Sequence, residues 1–491
     1  MVNAINKPFN DASAINVPQD ELNWSSICLS EVSKRDNRLE ASVFDIEGRH
    51  AHEVVNRSKW EVVNICGDKG LATAYHRPRF KRIWVDISSY PIYQPAKITE
   101  VYPKPSGYIS DKTDTDIEAL RVKKGQILLT CSGTIGKCTV VTDTLNNKIF
   151  SHDLIRINCN DDVDIGYIYA FLKSKIGDTL INTNNYGAVI SHIEPEHLNN
   201  VPIPNPPRMI KHKINELIMD SFALRDKSNS LLDEAELLLL NELNLPVFET
   251  FKYNCLDNNI DLNYYATNLS DLNNRLDASY HNILARMLLS HFKQHAKNIL
   301  SVGNCQISKQ IVLAGIFKRI YVGEGHGVPF IGGKEILQLS PEPTKYLATK
   351  HHKDRIEKEL KVEKNMILIT DRGTIGNVAF VPKHFEGFAV SQNVIKVKAV
   401  NDEIAGYLFV YLRSSYGNLL IKRQTYGSVV DMIDDKSVAQ IEIPLLQPNA
   451  TIEINNLALE SNELCYKAYL LEQQALTLIN REVLKTELDS E

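Results

Sequence analysis

Short apolar runs bounded by Gly, Asp and Asn alternate along the chain with longer runs of helical period. QILLT at 126–130, CTVVT at 138–142 and FSHDLIRIN at 150–158 read as β-strands. MILIT at 366–370, NVAFV at 377–381 and FAVSQNVIKVK at 388–398 repeat the pattern. Each group leads into a helical run, IGYIYAFLKSKIGDTLI at 165–181 and IAGYLFVYLRSSYGNLLI at 404–421. Each closes on a proline-rich exit, VPIPNPP at 201–207 or IEIPLLQP at 441–448, which continues neither strand nor helix.

Beyond each exit the apolar spacing becomes that of a long helix. Ile210, Ile214, Leu217, Ser221, Leu224, Ser228, Leu231, Ala235 and Leu238 recur in steps of four and three. Ala450, Ile454, Leu457, Ser461, Leu464, Ala468, Leu471, Ala475 and Leu478 repeat that frame. A 3.5-residue seam held this long predicts a coiled-coil helix. Small residues within both seams would let two backbones approach closely, and the two helices pack most economically on each other. About thirty residues at ~1.5 Å each give a rod of roughly 45 Å.

The repetition is a duplication. Sliding the chain by 240 residues aligns 125–204 with 365–444 without a gap, at 24 identities in 80 positions, far more than two unrelated β/α segments would share. ILLTCSGTIG at 127–136 meets ILITDRGTIG at 367–376, and Ser151, Gly166-Tyr167, Tyr186-Gly187 and Ile203-Pro204 meet identical residues. At a shift of 237, Asn37-Arg38-Leu39-Glu40-Ala41-Ser42 meets Asn274-Arg275-Leu276-Asp277-Ala278-Ser279, and Phe80-Lys81-Arg82-Ile83 meets Phe317-Lys318-Arg319-Ile320. A unit this long is a whole domain with its tail, not a solenoid repeat.

Composition adds limits. At 491 residues the chain is too long for one core. The polar start predicts a loose arm over 1–20, and the absence of eighteen consecutive apolar residues predicts no bilayer span. Eight cysteines without a C-x-x-C pair predict reduced thiols, a cytoplasmic location and no zinc site. The net charge of −5 runs against nucleic-acid binding until it is located. Residues 211–245 carry −3 and residues 451–491 carry −5, so the remainder is mildly basic.

Chemical motifs are sparse. Gly133-Thr134-Ile135-Gly136-Lys137 lacks the Ser or Thr that a nucleotide-binding P-loop requires next, and the second copy has Asn377 for the lysine. It is a structural turn, a backbone cradle for phosphates, or both. Asn205-Pro206-Pro207 lacks the aromatic of a methyltransferase motif, Gly323-Glu324-Gly325-His326-Gly327 leads into no helix, and His351-His352 sits in a charged, solvated run. No catalytic constellation recurs in both copies. The stretch YHRPRFKRIW at 75–84 interleaves His76, Arg77, Arg79, Lys81 and Arg82 with aromatics. That composition suits phosphate contact and stacking, or a charged strand edge.

Taken together, the R-L-(D/E)-A-S start, the ILLT-x-x-GTIG turn, the late Tyr-Gly and the I-P exit into a long helix, present twice, resemble the DNA-specificity subunit of type I restriction–modification systems. The resemblance covers all but the first 20–30 residues. It implies an α+β chain, pseudo-two-fold symmetric, with target recognition domains at 21–206 and 255–446 and antiparallel spacer helices at 207–247 and 447–491. Each domain would read one half of an asymmetric bipartite target in double-stranded DNA. The helices would present Ile214, Leu217, Leu224, Leu231, Leu238, Ile454, Leu457, Leu464, Leu471 and Leu478 to each other and dock two methyltransferase subunits. The chain itself would be non-catalytic and bind no cofactor or metal. S-adenosylmethionine would belong to the methyltransferase, and ATP and Mg to motor-nuclease subunits. A methylation-only or fused methyltransferase-nuclease system, or a protein-assembly adaptor without DNA, stays open.

Physical reasoning adds two points. A rod of that length matches half-sites about one turn, ~34 Å, apart, and acidic helices suit a basic protein partner better than DNA. Framework Gly, Ile, Leu and Pro persist between copies while polar positions differ, as they should in two readers of different sequence. In the first domain the expected DNA contacts are Arg77, Arg79, Lys81, Arg82, Lys123, Lys124, Thr130, Ser132, Thr134, Lys137, Asn185, Tyr186, Ser191 and His192. In the second they are Lys318, Arg319, Thr370, Arg372, Thr374, Arg423, Gln424 and Tyr426. Arg372→Ala is predicted to weaken or relax recognition at one half-site and spare the other. Methylation assays on duplexes altered in either half check this, and equal effects on both halves would refute it.

Overall fold

The computed structural model describes residues 27–33, 44–183, 192–255, 266–341, 345–427 and 430–486. The arm expected over 1–20 and the first Arg-Leu-Glu-Ala-Ser segment lie outside them. The chain forms two compact units, residues 1–98, 105–219 and 472–491 in one and 99–104 with 220–471 in the other. Each long helix therefore contributes to both units. The architecture is α+β with two sheet-containing domains.

Among the described residues the first unit holds ten strands, all short: β1 (Val62–Asn64), β2 (Ala72–Tyr75), β3 (Trp84–Val85), β4 (Pro91–Tyr93), β5 (Gly107–Ile109), β6 (Ile127–Thr130), β7 (Cys138–Val140), β8 (Ile149–Phe150), β9 (Leu154–Cys159) and β10 (Pro202–Pro204). They form an antiparallel sheet β2-β9-β6-β7, a sheet β3-β5-β4-β8 in which only β4 and β8 run parallel, and a ribbon β1-β10. The second unit repeats this order with β11 (Asn298–Ser301), β12 (Ser308–Val312), β13 (Tyr321–Val322), β14 (Gly327–Ile331), β15 (Tyr346–Ala348), β16 (Ile367–Thr370), β17 (Val378–Phe380), β18 (Ala389–Val390), β19 (Val394–Ala399) and β20 (Glu442–Leu445).

Every residue of β6 and β16 is buried, which explains why ILLT and ILIT are continuously apolar rather than alternating. In the second unit Ile367 and Ile369 pack with Tyr407 and Leu408 of the helix Asp402–Arg413. Leu368 faces the other way, among Ile331, Val390 and Val394. A helix layer, a central sheet and a second sheet thus stack in that order.

The same contact fastens each domain helix to a long helix. The Gly166 N–H donates to Asn215 Oδ1 at 2.8 Å, and the Gly406 N–H donates to Asn455 Oδ1 at 2.8 Å. A Cβ on Gly166 would lie 2.7 Å from Asn215 Cα, and one on Gly406 would lie 2.5 Å from Asn455 O, so both positions must be glycine. The neighbouring Tyr167 and Tyr407 hydroxyls donate to the carbonyls of Pro204 and Pro444 in the exits.

The long helices run from Arg208 to Glu242 and from Pro448 to Leu478. Asn244, in the left-handed region at φ 51°, ends the first, while the Leu245 N–H donates to the Leu240 carbonyl. Ser221 Oγ donates to the Ala468 carbonyl at 2.7 Å and Ser228 Oγ to the Ser461 carbonyl at 3.0 Å. Seven residues forward on one helix is seven back on the other, so the pair is antiparallel. Hydroxyl-to-backbone contact requires the small side chains at these positions.

The seam differs from expectation at most of its alternate positions. Ile214, Ser221, Ser228, Ala235, Ile454, Ser461, Leu464, Ala468 and Ala475 are buried. Leu217, Leu224, Leu231, Leu238, Leu457, Leu471 and Leu478 are only half-buried, and Ile218, Leu232, Leu239, Ala458, Glu472 and Ile479 are buried instead. Pairs such as Leu217-Ile218 and Leu231-Leu232 let either residue continue a heptad stripe. Close approach along the small-residue line selects the second, and Leu238 and Leu457 pad the flank of the second unit's core.

Gly406→Ala is predicted to destabilise the second unit by about 1–3 kcal/mol, the usual cost of overpacking. Denaturant unfolding of the full chain measures it, and an unchanged midpoint would contradict the close approach.

Candidate nucleic-acid interface

One edge of each central sheet gathers the loops that carry polar side chains. In the first unit Tyr75 at the end of β2 pairs with Arg156, and Thr130 at the end of β6 pairs with Leu154. Segments 76–82, 131–137 and 151–153 therefore leave the sheet at the same edge. Residues 192–194 join them through the Ser132–His192 bridge and an Ile193 N–H bond to the Cys131 carbonyl.

The shared GTIG turn is a backbone device. Gly133 and Gly136 have φ of 73° and 87°, and Gly373 and Gly376 have 72° and 83°, a left-handed conformation in both copies. The Thr130 hydroxyl accepts from the Lys137 N–H at 3.0 Å. Thr370 accepts from the Asn377 N–H at 3.1 Å and donates to the Thr374 carbonyl at 2.5 Å. Thr130 and Thr370 are buried, so they serve the turn and are withdrawn as DNA contacts. Thr134 and Thr374 stand exposed at the tip.

Around the first tip, Arg79 and Lys81 are exposed. Arg77 lies over the Tyr75 ring at 5.1 Å. Arg82 lies over Phe80 at 5.8 Å and pairs with Asp153 at 3.5 Å. Phe80 meets His152 edge-on at 5.4 Å, and His76 pairs with Glu194 at 3.1 Å. The His152 hydrogen bond holds the Asp153 carboxyl below its usual range. Burial pushes the Cys131 thiol up to about 12, so it is no nucleophile at neutral pH. Ser132 is half-buried, and Lys137 lies 3.9 Å from Asp178. Asn185, Tyr186 and Ser191 lie outside the described residues.

Around the second tip, Asp371 donates its N–H to the Asn393 carbonyl at 3.1 Å, and Arg372 and Tyr426 both bridge to Met432. Arg372 Nε and Nη2 reach Asp371 Oδ2 at 3.0 and 2.9 Å. Burial raises the Asp371 carboxyl against the opposing pull of that guanidinium. Tyr426 is exposed, as is Lys318, while Arg319 lies over Phe330 at 5.5 Å.

Four further expectations are corrected. Lys123 and Lys124 precede β6 and so stand at the end of the strand away from the tip. Lys124 pairs there with Asp143 at 2.6 Å. Arg423 donates to the Tyr280 carbonyl at 2.9 Å and pairs with Glu442 at 3.1 Å, which makes it a structural tie. Gln424 is buried where the helix Ser415–Arg423 ends.

Sequence reasoning missed His152, Asp153, Gln392 and Asn393. They follow the matched Ser151 and Ser391, and the rule of framework kept and polar neighbours exchanged applies to them equally. Among the described residues, the buried atoms Arg77 Nε, Arg82 Nε and His152 Nδ1 have no hydrogen-bond partner. Nor do Asp371 Oδ1, Gln392 Oε1 and Asn393 Oδ1 in the second unit. Unpaired buried polar atoms are costly and scarce, and they concentrate here around both tips. Among the described residues no cluster of metal-binding side chains occurs, no disulfide joins the cysteines, and no helix is long and apolar enough to cross a membrane.

A family model, the type I restriction modification DNA specificity domain, matches residues 70–235 and 321–450, more than half of the chain. The chain belongs to this family. It is similar to the type I restriction–modification S subunit of M. genitalium at 17% identity, over 89% of this chain and 98% of that one, with a TM-score of 0.33. It is also similar to the HsdS subunit of Thermoanaerobacter tengcongensis at 14% identity, over 85% and 95%, with a TM-score of 0.26. A chain from a structure on complex assembly and conformational transition of the type I system is 12% identical, over 86% and 97%, with a TM-score of 0.27. No curated protein matches the chain.

Thr130→Val is predicted to cost about 1–2 kcal/mol by stranding the Lys137 N–H, whereas Thr134→Val leaves stability unchanged. Thermal melts of the two variants compare a turn residue with a tip residue, and equal losses would contradict the distinction.

Proposed function

We propose that this chain is the DNA-reading, non-catalytic subunit of a type I restriction–modification enzyme, each sheet-containing domain reading one half of an asymmetric bipartite target. One observation carries the reading: a common backbone edge, built twice by the same turn, presents different polar side chains in the two units. A scaffold that holds its backbone and varies its tips is what reading two unlike sequences requires. The basic residues Arg79, Lys81 and Lys318, exposed at or beside these edges, supply phosphate attraction. The paired acidic helices serve as spacer and as docking surface for two methyltransferase subunits, which carry S-adenosylmethionine. Motor-nuclease subunits using ATP and Mg complete a restricting system.

The full chain with its methyltransferase subunit should bind duplex DNA with an affinity that falls linearly in log salt. Arg79→Ala and Lys81→Ala should each lower that slope by about 1 while leaving the preferred sequence unchanged. Salt-titrated binding measures both. Retention on the partner with no salt-dependent binding of DNA would favour the assembly adaptor instead.

A further inference from the structure

We infer that the second unit reads a guanine through the outward fork of Arg372, with Asp371 as the residue that positions it; this rests on the DNA-reading function proposed above. Asp371 is fully buried, and Arg372 is about a third exposed at 36%. Both contacts from the guanidinium go to one oxygen, Asp371 Oδ2, from Nε at 3.0 Å and Nη2 at 2.9 Å. The first is a hydrogen bond and the second an ion-pair contact, both on one side of the planar group. Three N–H bonds face away from Asp371, two on Nη1 and one on Nη2, and one from each nitrogen forms a parallel pair at the free end. Paired acceptors at that spacing are O6 and N7 of guanine in the major groove, the commonest specific partner of arginine. A phosphate could also accept them. However, a side chain locked by a buried carboxylate cannot follow a backbone position, and its fixed plane favours a base edge.

The surroundings support a reading role. Arg372 sits beside the GTIG tip, bridged to Met432. Gln392 and Asn393 adjoin it through the Asp371–Asn393 backbone bond, and their buried side-chain oxygens have no donor among the described residues. In the first unit the corresponding dipeptide is Cys131-Ser132, which offers no guanidinium. The guanine contact therefore belongs to one half of the target.

The test is selection from a pool of randomised duplexes by the full-length chain with its methyltransferase subunit, comparing wild type with R372K, R372A and D371N. Wild type should select a bipartite motif with a fixed G·C pair in one half. R372K keeps the charge and loses the fork, so it should reduce the preference for that pair about tenfold or more while keeping the salt dependence of binding. D371N, with the same melting temperature as wild type, should relax the same position and no other. Replacing that guanine by 7-deazaguanine should weaken wild type and leave R372K unaffected. A motif unchanged in R372K and R372A, both melting as wild type, would overturn the assignment of Arg372. Full preference in D371N would overturn the positioning role of Asp371. Failure of wild type to select any motif would overturn the DNA-reading function, and this inference with it.

Discussion

Everything in either domain is referred to one contact: a helix backbone pressed against a long helix with no side chain between them. Gly166 on Asn215 and Gly406 on Asn455 remove the Cβ that would hold the helices apart, and replace it with an amide oxygen bonded to a backbone N–H. A packing contact made of aliphatic side chains could slide by a rotamer. A bond from main chain to an asparagine cannot, and the neighbouring tyrosine ties the same turn to the proline exit. The sheet edge with its polar tips is thus fixed relative to the stretch of long helix within the same unit.

The fold was legible to the extent that its determinants are local or repeated. Strand runs such as ILLT, the proline exits and the period of the long helices are written in short stretches, and the duplication let each copy check the other. The half-heptad error shows where this stops. Leu231-Leu232 and Leu238-Leu239 are equivalent to a pattern of apolar and polar letters, and only the Ser221 and Ser228 hydroxyls meeting a facing backbone decide which residue turns inward.

The candidate site was legible in place and less so in role. The exchange of Cys131-Ser132 for Asp371-Arg372 lies beside the GTIG turn in both units, at the sheet edge where the polar loops gather. Residue type misassigned the threonines, because a hydroxyl that closes a turn and one that faces solvent are the same letter. Arg423 misled for a similar reason: a guanidinium is as useful for tying a helix end to Tyr280 and Glu442 as for meeting a phosphate. Lys123 and Lys124 failed on strand direction, since proximity in sequence to a tip is distance along a strand. His152, Asp153, Gln392 and Asn393 were within reach of the comparison between copies, which found Ser151 and Ser391 beside them.

The Asp371–Arg372 pair also constrains how this protein can evolve. A buried carboxylate whose counter-charge among the described residues is the next residue makes the two positions hereditary partners: losing the arginine first strands the acid, and losing the acid first frees the arginine to wander. Cys131-Ser132 carries no such debt, and either residue can drift alone. The first domain can therefore change at either position alone, while the second must pass through a handicapped intermediate or exchange the dipeptide whole.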